Sequence, residues 1–232
     1  MDTTYAGLTI AGKIVKMEQD SLDREKVKWK YDFIVGHPDI LSYYLIYKDT
    51  YGAKRNKKVL NTIKAVYPRY AALYPIHPYT QIIADLLNGY NKLSPGQPLI
   101  DFTLPDVAGN NHSLKSLAVG KIALIDFWGS WCGPCIAASR TIVPVYNEFR
   151  NKGFIVIGIA KEYKNTKDLK IALAREKYAW LNLVELDDKH RVWTKYGITN
   201  STGMMLLVDK DGKVIAVDPT AETVRKEILA RL

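Results

Sequence analysis

The chain has 232 residues, 47% apolar and 25% charged, an ordinary globular mixture long enough to bury a core without disulfide staples. Its formal charge of +9 is spread along the chain, as 14 basic against 9 acidic residues over 1–94 and 19 against 15 over 95–232, which reads as a soluble basic surface and not a nucleic-acid patch. The two cysteines stand three positions apart, which excludes both a disulfide framework and a four-cysteine zinc site.

In chain order, the first patterns are helical. Ile14, Val15, Leu22, Val27, Phe33 and Ile34 stand among many charges and predict a long, imperfect amphipathic helix over 12–34. Pro38 suits the first position of a second helix, on which Ile40, Leu41, Tyr44, Leu45 and Tyr47 form one stripe. Lys54-Arg55-Asn56-Lys57-Lys58 reads as the solvated start of a third, carrying Val59, Leu60, Ile63, Val66 and Tyr67 and predicted to end at Pro68. Ile82, Ile83, Leu86, Leu87 and Tyr90 mark a fourth, with Asn88-Gly89 as its stop signal. Tyr43, Tyr44, Tyr47, Tyr67, Tyr70, Tyr74 and Tyr79 fit either packing at helix contacts or a surface for a partner polypeptide.

Ser94-Pro-Gly-Gln-Pro98 breaks the pattern and divides a helical region, residues 1–94, from a second domain, residues 95–232. Beyond it, Ile122–Trp128 and Phe154–Ala160 read as buried strands. Helices are expected from about Cys132 to Arg150, over 166–178, over Lys189–Tyr196 and over 220–232. Met204–Val208 and Lys213–Val217 flank Asp209-Lys-Asp-Gly212 as a hairpin. The order βαβα then ββα gives a mixed α/β sheet with helices on both faces.

The chemistry concentrates in Trp131-Cys-Gly-Pro-Cys135. Cysteines at i and i+3 can close a small disulfide ring, and a helix starting there offers the first sulfur free N–H groups and a positive dipole end. Such a setting lowers a thiol from about 8.5 toward neutrality. Cys132 would then attack a substrate disulfide, and Cys135, one turn on and more buried, would resolve the mixed disulfide. Pro134 fits the first helical turn and Gly133 keeps the approach clear. Trp128 reads as core, and Trp131 as the border of a docking surface. Asp126 interrupts an apolar strand; it is either a buried acid that exchanges a proton with Cys135 or a strand-end cap for a loop. His37, His77, His112 and His190 are scattered and read as surface or capping residues. Lys161 and Glu162 read as a solvated strand end, the alternative being that they face the cysteines. No metal-ligand cluster, phosphate loop or dinucleotide fingerprint is present, so no metal or cofactor is expected.

Asp126-Phe-Trp-Gly-Ser-Trp-Cys-Gly-Pro-Cys135 resembles the active-site strand and turn of the thioredoxin-like superfamily. Gly96–Gly109, Tyr196-Gly-Ile-Thr199 and Leu207–Val214 are similar to segments of its TlpA/ResA-like branch. The resemblance covers residues 95–232 and implies a thioredoxin-like mixed sheet flanked by helices, preceded by a small all-helical region. It implies a thiol-disulfide oxidoreductase outside the cytoplasm, in the periplasm or cell envelope. The implied role is the reduction of disulfides in protein substrates with electrons from an upstream thiol donor. Nucleic acid is not an expected partner. The chain is expected to act as a monomer, with any signal or membrane tether absent from it. One feature departs from the family: Gly203 stands where a cis-proline usually faces the cysteines. This bears on substrate docking at Thr202 and Gly203, and the Thr202–Gly203 bond is expected to be trans. Two alternatives stay open. The same cysteines could serve an oxidase or isomerase, or the helical region could make the chain a binding module with a vestigial redox centre. A peroxidase reading is disfavoured, because its reactive cysteine would normally stand alone.

Overall fold

The computed structural model describes residues 7–53, 56–198 and 203–232. Contacts divide the chain into two units, Met1–Ile83 and Ala84–Leu232.

The first unit is helical. It holds α1 (Ile10–Gly36), α2 (Ile40–Thr50), α3 (Lys57–Leu73) and the start of α4 (Pro78–Lys92). Thr9, Asp39 and Asn56 cap the first three, each side chain accepting a backbone N–H three residues on. Asp39, not Pro38, therefore sets the start of α2. The sequence also predicts an end at Pro68, yet α3 continues for another turn and more. An interior proline costs about 3 kcal/mol. What opposes that cost is Tyr70, buried just beyond it: its hydroxyl donates to the Ile34 carbonyl at 2.5 Å, and its ring stacks on Tyr43, which in turn meets Tyr74 and Tyr79. Tyr43 and Tyr70, at least, serve as packing.

The second unit is built on a five-stranded mixed sheet in the order β5-β4-β3-β6-β7. A hairpin of β1 (Thr103–Pro105) and β2 (Asn111–Ser113) leads into α5 (Leu114–Ala118). Then come β3 (Ile122–Trp128), α6 (Gly133–Phe149), β4 (Phe154–Glu162), α7 (Lys167–Glu176) and β5 (Leu181–Leu186), followed by α8 (Val192–Lys195), β6 (Met204–Val208), β7 (Val214–Val217) and α9 (Ala221–Leu229). β3 lies at the centre, parallel to β4 and antiparallel to β6, and all seven of its residues are buried. β5 is a strand the apolar pattern alone does not announce, because Asn182 and Glu185 interrupt it; both are buried and hydrogen-bonded.

Side chains alternate across β3. Ile122 and Leu124 pack with Ile142, Val145 and Phe149 of α6 and with Val224 and Ile228 of α9. Trp128, further along that face, packs with the cysteines, Ile136 and Leu169. Phe127 faces the other way, against Trp193 and Tyr196. Helices thus cover both faces, and the start of α6 is held at the C-terminal end of the central strand.

Candidate active site

Cys132 is the N-cap of α6, and its Sγ accepts the Cys135 N–H at 3.3 Å. The two cysteines are joined in a disulfide with Cα atoms 5.3 Å apart. Pro134 occupies the first turn, where a missing N–H leaves no helical bond unmade. A Cβ at Gly133 would meet nothing within 4 Å, so the outer side of the motif is open. Contrary to the sequence expectation, Cys135 is not the more buried of the pair: Cys132 is 3% exposed and Cys135 8%. The reason is the apolar cluster of Trp128, Ile136, Ala160, Leu169 and Val184, which encloses both.

Beneath them lies Asp126, mid-strand and 2% exposed, so it does not cap a loop. Its cross-strand neighbour on β4 is Gly158, which contributes no side chain. Its hydrogen-bond partner is Ser139, whose hydroxyl lies 2.5 Å from Oδ2. Burial disfavours the charged form and pushes Asp126 up to about 7, against the hydroxyl's opposing pull. The same hydroxyl lies 3.0 Å from the Cys135 carbonyl. A hydroxyl has one proton to give. Ionised Asp126 takes it; protonated Asp126 instead donates to Ser139 Oγ, and Ser139 turns to the Cys135 carbonyl. The proton on Asp126 is thereby coupled to the first turn of α6.

The end of β4 forms a wall beside the motif. Lys161 and Glu162 are 1% and 3% exposed, which overturns the reading of a solvated strand end. The Glu162 carboxylate accepts both the Ser130 N–H and the Ser130 hydroxyl, each at 2.7 Å. Burial pushes Glu162 up from the usual carboxylate range, against those two bonds. The Lys161 carbonyl accepts the Trp131 indole N–H at 2.8 Å, and its ammonium pairs with Asp188 at 3.0 Å over the Trp193 ring. The Cys132 N–H closes the turn onto the Gly129 carbonyl. Only glycine fits there, since a Cβ at position 129 would stand 2.6 Å from the Trp131 indole nitrogen and 2.9 Å from the Lys161 carbonyl. Trp131 keeps 40% of its surface exposed beside Tyr163. Trp128 is fully buried, as its core reading requires, and donates its indole N–H to Asn182.

Across from α6, the Gly203 N–H donates to Cys135 Sγ at 3.1 Å. Thr202 and the bond before Gly203 lie outside the described residues. Sequence reasoning passed over Ser139 and undervalued Glu162. A stripe at Cys135, Ser139 and Ile142 signals the first, because residues four and three apart share a helix face. The second is signalled by Lys161-Glu162 extending an apolar strand before any turn residue.

Among the described residues, no group of three or more His, Cys, Asp or Glu is placed to hold a metal ion. No helix among them is long and apolar enough to cross a membrane.

Residues 95–217 match the model of the AhpC/TSA family. The chain is 27% identical over 124 residues to the thiol-disulfide oxidoreductase ResA of Bacillus thuringiensis (strain Al Hakam), spanning 53% of this chain and 69% of that one. It is similar in structure to the thioredoxin domain of a thiol-disulfide oxidoreductase from Bacteroides vulgatus, with a TM-score of 0.53 and 28% identity over 60% of this chain and 97% of that one. It is also similar to a thiol:disulfide interchange protein from Bacteroides sp., with a TM-score of 0.53 and 28% identity over 60% and 90%.

Proposed function

The chain belongs to the AhpC/TSA family, and from that premise we propose that Cys132 and Cys135 reduce disulfides of proteins outside the cytoplasm. It is a protein disulfide oxidoreductase with a thioredoxin-like fold. In its reduced form Cys132 attacks a substrate disulfide as the thiolate, and one substrate sulfur leaves. Cys135 then attacks Cys132 Sγ of the mixed disulfide and the second substrate sulfur leaves. Asp126 takes the proton that Cys135 must lose and returns it when the pair is reduced again by an upstream thiol donor. Trp131 borders the docking surface. One observation carries this reading: a disulfide at the first turn of a 17-residue helix, above a buried carboxyl pushed up to about 7.

The domain reading that goes with it assigns the redox chemistry to residues 95–232 and sets residues 1–94 apart as a helical region. What supports the location is the similarity to the thiol-disulfide oxidoreductase ResA.

The test is reduction of insulin by dithiothreitol-reduced protein. Wild type is expected to exceed the uncatalysed control, and Cys132→Ser to fall to it; a wild-type rate equal to the control ends the proposal. The direction is read from the reduction potential. A value near about −270 mV supports a reductant, and one near about −120 mV makes the pair an oxidant.

A further inference from the structure

Each sulfur of the pair has its own backbone donor, and the two come from different elements. Cys132 Sγ accepts from the amide of Cys135, inside α6. Cys135 Sγ accepts from the amide of Gly203, at the start of β6. The second contact is closely fitted. A Cβ on Gly203 would stand 1.8 Å from the Phe127 carbonyl oxygen and 2.8 Å from Cys135 Sγ. Only a residue with no side chain brings its N–H this near the buried sulfur, and a proline there would offer no N–H at all.

We propose that the Gly203 amide is a catalytic donor that holds Cys135 as a thiolate and thereby directs an incoming thiolate to Cys132. This rests on the oxidoreductase reading above. When a donor or product thiolate attacks the disulfide, a bond forms to Cys132 Sγ. The Cys132–Cys135 bond breaks, and its electron pair goes to Cys135 Sγ, where the N–H is already aimed. Attack on Cys135 would instead expel Cys132 and crowd the amide. In the reducing direction the same bond keeps Cys135 ionised, once Asp126 has taken its proton, until it displaces the substrate sulfur from Cys132. Bonds to charged acceptors are roughly twice as strong as neutral ones, so the amide favours the thiolate over the disulfide sulfur. The titratable groups around Cys135 are Asp126 from β3, reached through Ser139, and Tyr178 from the segment before β5. Its neighbours from β4, β5 and α7, namely Ala160, Val184, Leu169 and Ala172, are apolar.

The experiment uses the full chain carrying Cys132→Ser, in which Cys135 is the sole thiol, labelled with 15N-glycine. Cys135 ionisation is followed by thiolate absorbance, and the Gly203 amide proton by NMR over the same pH range. The Gly203 proton is expected to move downfield with the apparent pKa of the thiolate signal, and to keep doing so when Asp126→Asn is added. A Gly203 signal that ignores the thiolate, or follows only Asp126, overturns the proposal. As a second arm, Gly203→Ala in the otherwise native chain should slow release of product from a preformed mixed disulfide on the order of tenfold, the factor one charge-assisted bond supplies. An unchanged release rate in a folded variant also overturns it. Insulin reduction by the wild type decides the underlying reading separately.

Discussion

Two buried carboxyl groups flank the disulfide, one in the floor beneath α6 and one in the wall at the end of β4. Burial raises both, yet their partners differ. Among the described residues, Asp126 meets one neutral hydroxyl, that of Ser139, which can accept as readily as it donates. Glu162 receives a backbone N–H and a hydroxyl from the same residue. The difference teaches what each can do. An acid with one exchangeable partner changes protonation cheaply near neutrality; an acid bound twice to one loop residue holds that loop in place. The floor is a proton store, and the wall is a clamp.

The largest expected effect tests the floor. Below pH about 4, Asp126 is protonated in both folded and unfolded chains. Between its ordinary value of 3.8 and about 7, the unfolded chain has lost that proton while the folded one keeps it. Stability therefore falls as pH rises through this window, by up to about 4 kcal/mol in total. Asp126→Asn should remove that dependence. It should match wild type at pH 3 and exceed it by up to about 4 kcal/mol at pH 8, in urea denaturation of the oxidised protein. The same variant should accumulate mixed disulfide, with resolution slowed about tenfold or more. A variant no more stable than wild type at pH 8 would mean that Asp126 is ionised and paired.

The wall gives a smaller effect with a sharper contrast. Glu162→Ala leaves the Ser130 N–H and hydroxyl without their acceptor, which should cost about 1–3 kcal/mol. Glu162→Gln should cost far less. Its amide oxygen can accept the N–H, while its NH2 donates to a Ser130 hydroxyl turned to face it. Equal losses in the two variants, measured by thermal unfolding, would show that charge and not hydrogen bonding secures the loop.

This contrast also explains what the sequence made legible. The central strand, the helix that follows it and the cysteine pair are local patterns, and each stands where the periodicity and the Cys-X-X-Cys spacing place it. Asp126 was visible as a carboxylate inside an apolar run, a local anomaly that demands an explanation. Glu162 was not, because a charge at the end of an apolar run has an ordinary solvated reading. Only the pairing of β4 beside β3, and the loop from Gly129 to Trp131 folding over that edge, bury it. The burial of Cys132 depends likewise on residues from α7 and β5 far along the chain. The continuation of α3 through Pro68 depends on Tyr70 reaching Ile34, a contact that no local signal encodes.

The smallest expected effect lies at the exposed edge of the wall. Trp131→Phe removes the indole N–H that binds the Lys161 carbonyl, but it keeps an aromatic ring beside Trp193 and Tyr163. Water can reach a side chain that is 40% exposed, so the stability loss should be about 1 kcal/mol or less. Kinetics separate the two roles this residue could have. If Trp131 serves docking, kcat/KM should fall for insulin and hold for a small aromatic disulfide that needs only Cys132. If the indole bond instead sets the position of Cys132, both substrates slow by the same factor, as they should in Glu162→Ala. Equal slowing would therefore place Trp131 with the clamp and leave the docking surface to be sought among its neighbours, with Tyr163 first.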